Sequence, residues 1–244
     1  MTQPPYLAAH APEASPFHPG ELALQDRAGT RAWLEVAGRR IIRDHMPDQH
    51  RELLETLPYL IAGVADAEGQ PWATLLTGDP GFVTTAPHAM TIAALPSPPD
   101  PARKTLWSGA SVGLLGIELT TRRRNRMNGR VSGVTESGFT VDVVQSFGNC
   151  PKYILTRQHR QARNGRPVVQ RAERALLGRE ALALVEGSDT FFIATASGPG
   201  RQDWTGGVDV SHRGGEPGFV RATWAAGSTV LTVPDFTGNC FSTL

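Results

Sequence analysis

Gly-Val-Asp-Val-Ser-His-Arg-Gly-Gly-Glu-Pro-Gly-Phe-Val at 207–220, followed after a spacer by Thr-Val-Leu-Thr-Val-Pro-Asp-Phe-Thr-Gly-Asn at 229–239, carries most of the information in this chain. Val208 and Val210 alternate with Asp209 and Ser211, the period of a half-buried strand. Ser211, His212 and Arg213 then place a hydroxyl, an imidazole and a guanidinium beside Gly214 and Gly215. Glycines let the backbone turn tightly and come close to a ligand. The guanidinium fork matches phosphate oxygens. The second strand, 229–233, is stopped by Pro234, and Asp235, Thr237 and Asn239 form a polar cluster at its end. A basic, glycine-rich turn of this kind reads either as a phosphate receiver or as a plain hairpin.

Ser-His-Arg-Gly, then Pro-Gly-Phe-Val, then Pro-Asp-Phe-Thr-Gly-Asn, in that order and at close spacing, resembles the flavin-phosphate side of the pyridoxamine 5'-phosphate oxidase-like family. The chain is similar to the larger flavin-nucleotide-binding members. The resemblance implies a mainly β fold with flanking helices, an FMN-binding split β-barrel, with FMN lying between two barrels. On that basis Ser211, His212, Arg213, Gly214, Phe219, Val220, Pro234, Asp235 and Asn239 are expected on the cofactor. Asn128, in an Arg/Asn-Gly strand, and Lys152, in a Cys-Pro-Lys element, are expected on the opposite wall. The implied activity is that of a flavin-dependent oxidoreductase, with a flavin-binding module lacking turnover as the alternative. A nicotinamide nucleotide or a small molecule would be its partner in electron transfer.

The 244 residues can bury a sizeable core. A formal net charge of +1 gives no global reason to expect nucleic acid or an anionic membrane. The N-terminus lacks a basic and an apolar signal region, and no apolar run has the length of a membrane span. Cys150 and Cys240 show no Cys-x-x-Cys spacing, so a reduced, cytoplasmic protein is the simplest reading. His45 and His50 are five apart rather than the four that sets two ligands on one helical face, and no metal site is expected.

In chain order, residues 1–46 read as a proline-rich arm and helices. A helix from Glu21 to about Ala37 is expected to be interrupted at Gly38, and His18, just before it, reads as structural. Residues 47–157 read as a first split-barrel unit. It opens with a helix from Asp48 to Leu57, with Pro47 suited to its first turn. Many short strands with turn signals follow, including 59–65, 72–77, 90–95, 111–120 and 139–145. Residues 158–168 form a polar linker. Residues 169–244 read as a second, C-terminally incomplete unit, with a helix at 169–185 and a strand at 190–196. Pro-Gly-Phe-Val recurs at 80–83 and 217–220, and a helix precedes the first strand of each unit, so the parsimonious reading is an internal duplication. Exposed strand edges of the shorter copy would be covered by the first copy or by a second chain, a homodimer being the favoured solution.

The copies differ where chemistry is expected. Set against Ser211-His212-Arg213-Gly214 in the second copy, the first has Leu76-Thr77-Gly78-Asp79, and an acid would repel a phosphate. Arg122, Arg123, Arg124, Arg126 and Arg130 read first as a solvated strand face, since alternate residues face opposite sides. A contribution to flavin or nicotinamide phosphate comes next. Nucleic-acid binding is disfavoured without interleaved aromatics. Cys150 beside Lys152 reads as a packed residue rather than a nucleophile. Gly109-Ala-Ser-Val-Gly113 matches a hydrolase elbow but runs into a strand where the elbow needs a helix.

Overall fold

The computed structural model describes residues 14–158, 176–198 and 204–236. Three helices come first: α1 (Pro19–Arg27), α2 (Arg31–Ile41) and α3 (Asp48–Thr56). His18 caps α1, its ring Nδ1 accepting the N–H of Gly20 at 3.0 Å and of Glu21 at 3.3 Å. The Glu21 carboxyl returns to accept the His18 N–H at 3.0 Å, completing a capping box. The expected break at Gly38 lies elsewhere. The chain leaves the helix at Ala28 and turns through Gly29 at φ +66°. Gly38 sits inside α2 because Phe17 packs there; a Cβ would stand 2.7 Å from the ring.

Seven strands follow: β1 (Tyr59–Ala65), β2 (Pro71–Thr77), β3 (Val83–Ala86), β4 (Ala89–Ile92), β5 (Ser111–Glu118), β6 (Arg123–Val134) and β7 (Phe139–Gly148). They form one sheet in the order β2-β1-β5-β6-β7-β4-β3, with every neighbouring pair antiparallel. Among the described residues no pairing joins β2 to β3, so the architecture is mainly β with few helices, and the expected barrel is not closed by hydrogen bonds. Phe139, Val141 and Val143 face the main core with Leu60, Ala62, Val64, Val112 and Leu114, and α3 adds Leu53 and Leu54. No helix among the described residues is long and apolar enough to cross a membrane.

The C-terminal part supplies α4 (Arg179–Gly187), then β8 (Thr190–Ala196) paired antiparallel with β9 (Val208–Gly214), then β10 (Arg221–Ala225) paired with β11 (Ser228–Thr232). The helix expected at 169–185 thus lies later, and its first residues fall outside the described ones. The β8–β9 pair packs on the outer face of the sheet. Ile61 and Leu115, opposite each other on β1 and β5, bury Val210 and contact Phe192. Two residues on, on the same face, Gly63 and Gly113 are also opposite each other. A Cβ at Gly113 would lie 2.7 Å from the Asp209 Cα, and one at Gly63 would lie 3.0 Å from the Asp209 carbonyl oxygen. The two glycines form a slot in which the backbone of β9 rests. Because β1 and β5 are covered on both faces, each is buried almost end to end.

The two Pro-Gly-Phe-Val turns share a local geometry. Gly81 and Gly218 have φ of +95° and +86°, and Phe82 and Phe219 each donate to the carbonyl three residues back, Asp79 and Glu216. Gly78 and Gly215 each leave room for the following Phe. Laid turn on turn, Asp79 falls with Glu216 and Leu76 with Arg213, two residues off the pairing expected from the sequence.

Candidate functional site at the seam of two strands

Strand β6 runs along the outer face beside β5. Arg124, Arg126, Asn128 and Arg130 stand opposite Ile117, Leu115, Gly113 and Ser111. The even-numbered positions share one face, as strand geometry requires. That face is covered by β9, so the expectation of a solvated arginine face is wrong for these residues. Arg126 is 4% exposed and Arg130 8%, whereas Arg122 and Arg123 remain in solvent.

Burial needs partners, and β9 provides them. Arg126 Nη1 donates to Asp209 Oδ2 at 2.6 Å, and its guanidinium lies 5.3 Å from the Phe147 ring centroid. Arg124 Nη1 lies 3.1 Å from His212 Nδ1. Burial first, then the charges of Arg124, Arg213 and Arg126, lower the His212 pKa to about 3. The imidazole is therefore neutral. Nδ1 accepts from Arg124, which leaves the ring proton on Nε2. Burial and then Arg126 lower the Arg124 pKa to about 10; Arg213 is lowered by the same two causes, with Asp235 and Asp209 opposing. The cations thus strain against one another. Three buried donors at this seam, His212 Nε2, Arg124 Nε and Arg126 Nε, have no hydrogen-bond partner among the described residues.

A cavity of about 360 Å³ opens beside the seam. Its walls are the start of α1 with His18 and Glu21, one side of α2 with Trp33 and Leu34, the segments 128–130 and 144–150, and the approach to β9 at 204–209. Asp209 belongs to both places, lining the cavity while its carboxylate holds Arg126.

The expected site residues divide between these places. Asn128 and Lys152 line the cavity, as does Cys150. Ser211, His212, Arg213 and Gly214 lie farther along β9; they form its last turn of strand rather than a free loop. Ser211 is buried and accepts from Arg213 Nη1 at 2.9 Å. Gly214 passes so close to the Tyr153 carbonyl that a Cβ there would be only 2.1 Å from its oxygen. Phe219 stacks between Phe191 and Phe236 at 5.8 and 6.4 Å, and Val220 is buried. Pro234 and Asp235 are exposed beyond β11, with the Asp235 charge reaching Arg213. Asn239 lies outside the described residues. Sequence reasoning missed Glu21 and Asp209, and gave Arg124 and Arg126 a ligand role only as the second reading of the arginine run. The alternation of β6 was the signal for Arg126, and the acid between two valines was the signal for Asp209.

No family model matches the chain, and no curated protein matches it. Among solved structures, HupZ of Group A Streptococcus aligns at 11% identity and a TM-score of 0.33, over 42% of this chain and 94% of that one. An F420 reductase aligns at 11% identity and 0.29, over 43% of this chain and 97% of that one. The FAD and heme binding protein from Mycobacterium smegmatis aligns at 14% identity and 0.27, over 38% of this chain and 48% of that one. Likenesses at these scores carry no argument about this chain.

Proposed function

We propose that the seam between β6 and β9 binds FMN and that the protein is a flavin-dependent oxidoreductase. The observation that carries this reading is the convergence of three buried, unpartnered donors, His212 Nε2, Arg124 Nε and Arg126 Nε, among arginines that depress one another's pKa. Buried donors without acceptors are costly, about 1–3 kcal/mol each, and an anionic ligand rich in acceptor oxygens removes that cost. The residues on hand fit a phosphate-bearing flavin: Arg124, Arg213, Ser211 and His212 would hold acceptor oxygens, and Asn128 and Lys152 would face the cofactor from the neighbouring wall. When bound, FMN would supply the electron-transfer chemistry. The chain's residues bind, orient and exclude water. A nicotinamide nucleotide would be the electron donor, or a small molecule the acceptor. The matching turns at 80–83 and 217–220 support a duplicated unit, and a homodimer would cover the apolar surface of β10–β11, where Trp224 and Leu231 are exposed.

The test is spectroscopic. Purified protein mixed with FMN and desalted is expected to keep the visible flavin bands, and NADH or NADPH under anaerobic conditions is expected to bleach them. Retained bands without bleaching would leave a flavin-binding module. Loss of all colour on desalting would remove FMN from the seam.

A further inference from the structure

The cavity has the opposite hydrogen-bond polarity to the seam. Three of its lining oxygens, Asn128 Oδ1, Asn149 Oδ1 and Asp209 Oδ1, are buried and lack a hydrogen-bond partner among the described residues. Either amide can be turned end for end, but Asp209 is an acceptor in any orientation. Burial raises the Asp209 pKa, and Arg126 at 2.6 Å opposes it, together with the Val210 N–H and the Asn128 amide. This ion pair makes Asp209, rather than Glu21, the carboxyl of the site that ionises first. Glu21 is the other carboxyl, with a side chain only 12% exposed. Burial first, then the charge of Asp209, raise its pKa to about 8, against the opposing His18 N–H and Arg126. At neutral pH Glu21 therefore holds a proton. Oε2 already accepts from His18, which leaves the O–H on Oε1. A third wall, from Phe17, Trp33, Leu34 and Ile41, is apolar.

We propose that this cavity binds a flat lactam, a ring –NH–C(=O)– edge whose N–H bonds to Asp209 and Asn128 and whose carbonyl oxygen accepts the O–H of Glu21. The inference rests on the cavity alone and stands whether or not FMN occupies the seam. The flavin ring itself carries such an edge, so the lactam is either part of the cofactor or a separate small molecule. The groups facing Glu21 are His18 at the cap of its own helix, Asp209 from β9 and Arg126 from β6, with Arg130 and Lys152 elsewhere on the cavity wall. The donor form of Glu21 exists below its raised pKa and is lost as pH rises through about 8. Above that, its carboxylate repels a carbonyl oxygen.

The experiment titrates the purified full chain with 2-quinolone, a fluorescent bicyclic lactam, and with N-methyl-2-quinolone, which lacks the N–H. Expected is at least about tenfold weaker binding of the N-methyl compound, the worth of one charge-assisted bond. Wild-type affinity for 2-quinolone should fall about 30-fold between pH 6.5 and 9.5, the loss of protonated Glu21. Glu21→Gln, whose amide donates at any pH, should show no such fall. Displacement of 2-quinolone by FMN assigns the lactam to the flavin ring; undisturbed binding assigns it to a separate molecule. Equal binding of the two quinolones by wild type, the same pH loss in Glu21→Gln, or no binding of either quinolone at millimolar concentration overturns the proposal.

Discussion

His212 is a neutral base inside a ring of arginines, and that condition has a measurable cost in acid. Its folded pKa of about 3 lies below the ordinary imidazole value of 6.5, so the unfolded chain binds more protons between those values. Stability therefore rises with pH across that window and is lost as pH falls below about 6.5. His212→Asn keeps an acceptor for Arg124 without the titration. Between pH 7 and 4, wild type is expected to lose a few kcal/mol more than the variant in urea unfolding, at about 1.4 kcal/mol per pKa unit. Arg213 offers a second test. A charge-assisted bond is worth roughly 1.5–3 kcal/mol, so Arg213→Ala should weaken FMN about ten- to a hundredfold or more. Arg213→Lys should recover only part, because lysine lacks the planar fork. Fluorescence quenching of FMN reads both, and equal affinities would take Arg213 out of the site. Cys150 is exposed on the cavity wall. Cys150→Ser is expected to leave flavin content and reductase turnover unchanged; loss of turnover with full flavin would make the thiol a participant.

At the scale of elements, the site depends on how closely β9 approaches the sheet. Gly113→Ala would drive a methyl group into backbone rather than a movable side chain. Overpacking of that kind costs about 1–3 kcal/mol, and here it should also lift Asp209 from Arg126. The expected result is a lower urea midpoint together with weaker FMN binding. A stable variant with unchanged FMN affinity would mean that the slot does not position the seam. Local sequence signals carried the strands well. The bounds 59–65 and 190–196 were legible from apolar runs closed by turn residues, and β7 from its clean alternation. The arginines of β6 were not. Their alternation was visible, but whether the shared face met water or another strand depended on the Gly63–Gly113 slot, which only tertiary packing reveals. Glu21 was hidden for a similar reason: a capping-box glutamate looks like a surface residue until a cavity is built against it.

At the scale of the whole molecule, the order of elements was readable, but not the disposition of its two parts. β3–β4 joins the large sheet through β7, whereas β10–β11 pairs only with itself among the described residues. Strand propensity is similar in both, and only long-range register separates them. The two Pro-Gly-Phe-Val turns show the same limit: laid turn on turn they set Leu76 with Arg213, a pairing that residue order alone does not suggest. The glycine slot has one more consequence. It joins segments far apart along the chain, so every ion pair and hydrogen bond across the seam links residues before 158 to residues after 176. Cut between those points, the polypeptide becomes a conditional receptor. Residues 1–158 and 176–244, expressed separately and mixed, should restore FMN binding that neither fragment shows alone, and Gly113→Ala in the first fragment should abolish that complementation. Flavin fluorescence would then report a meeting of two molecules.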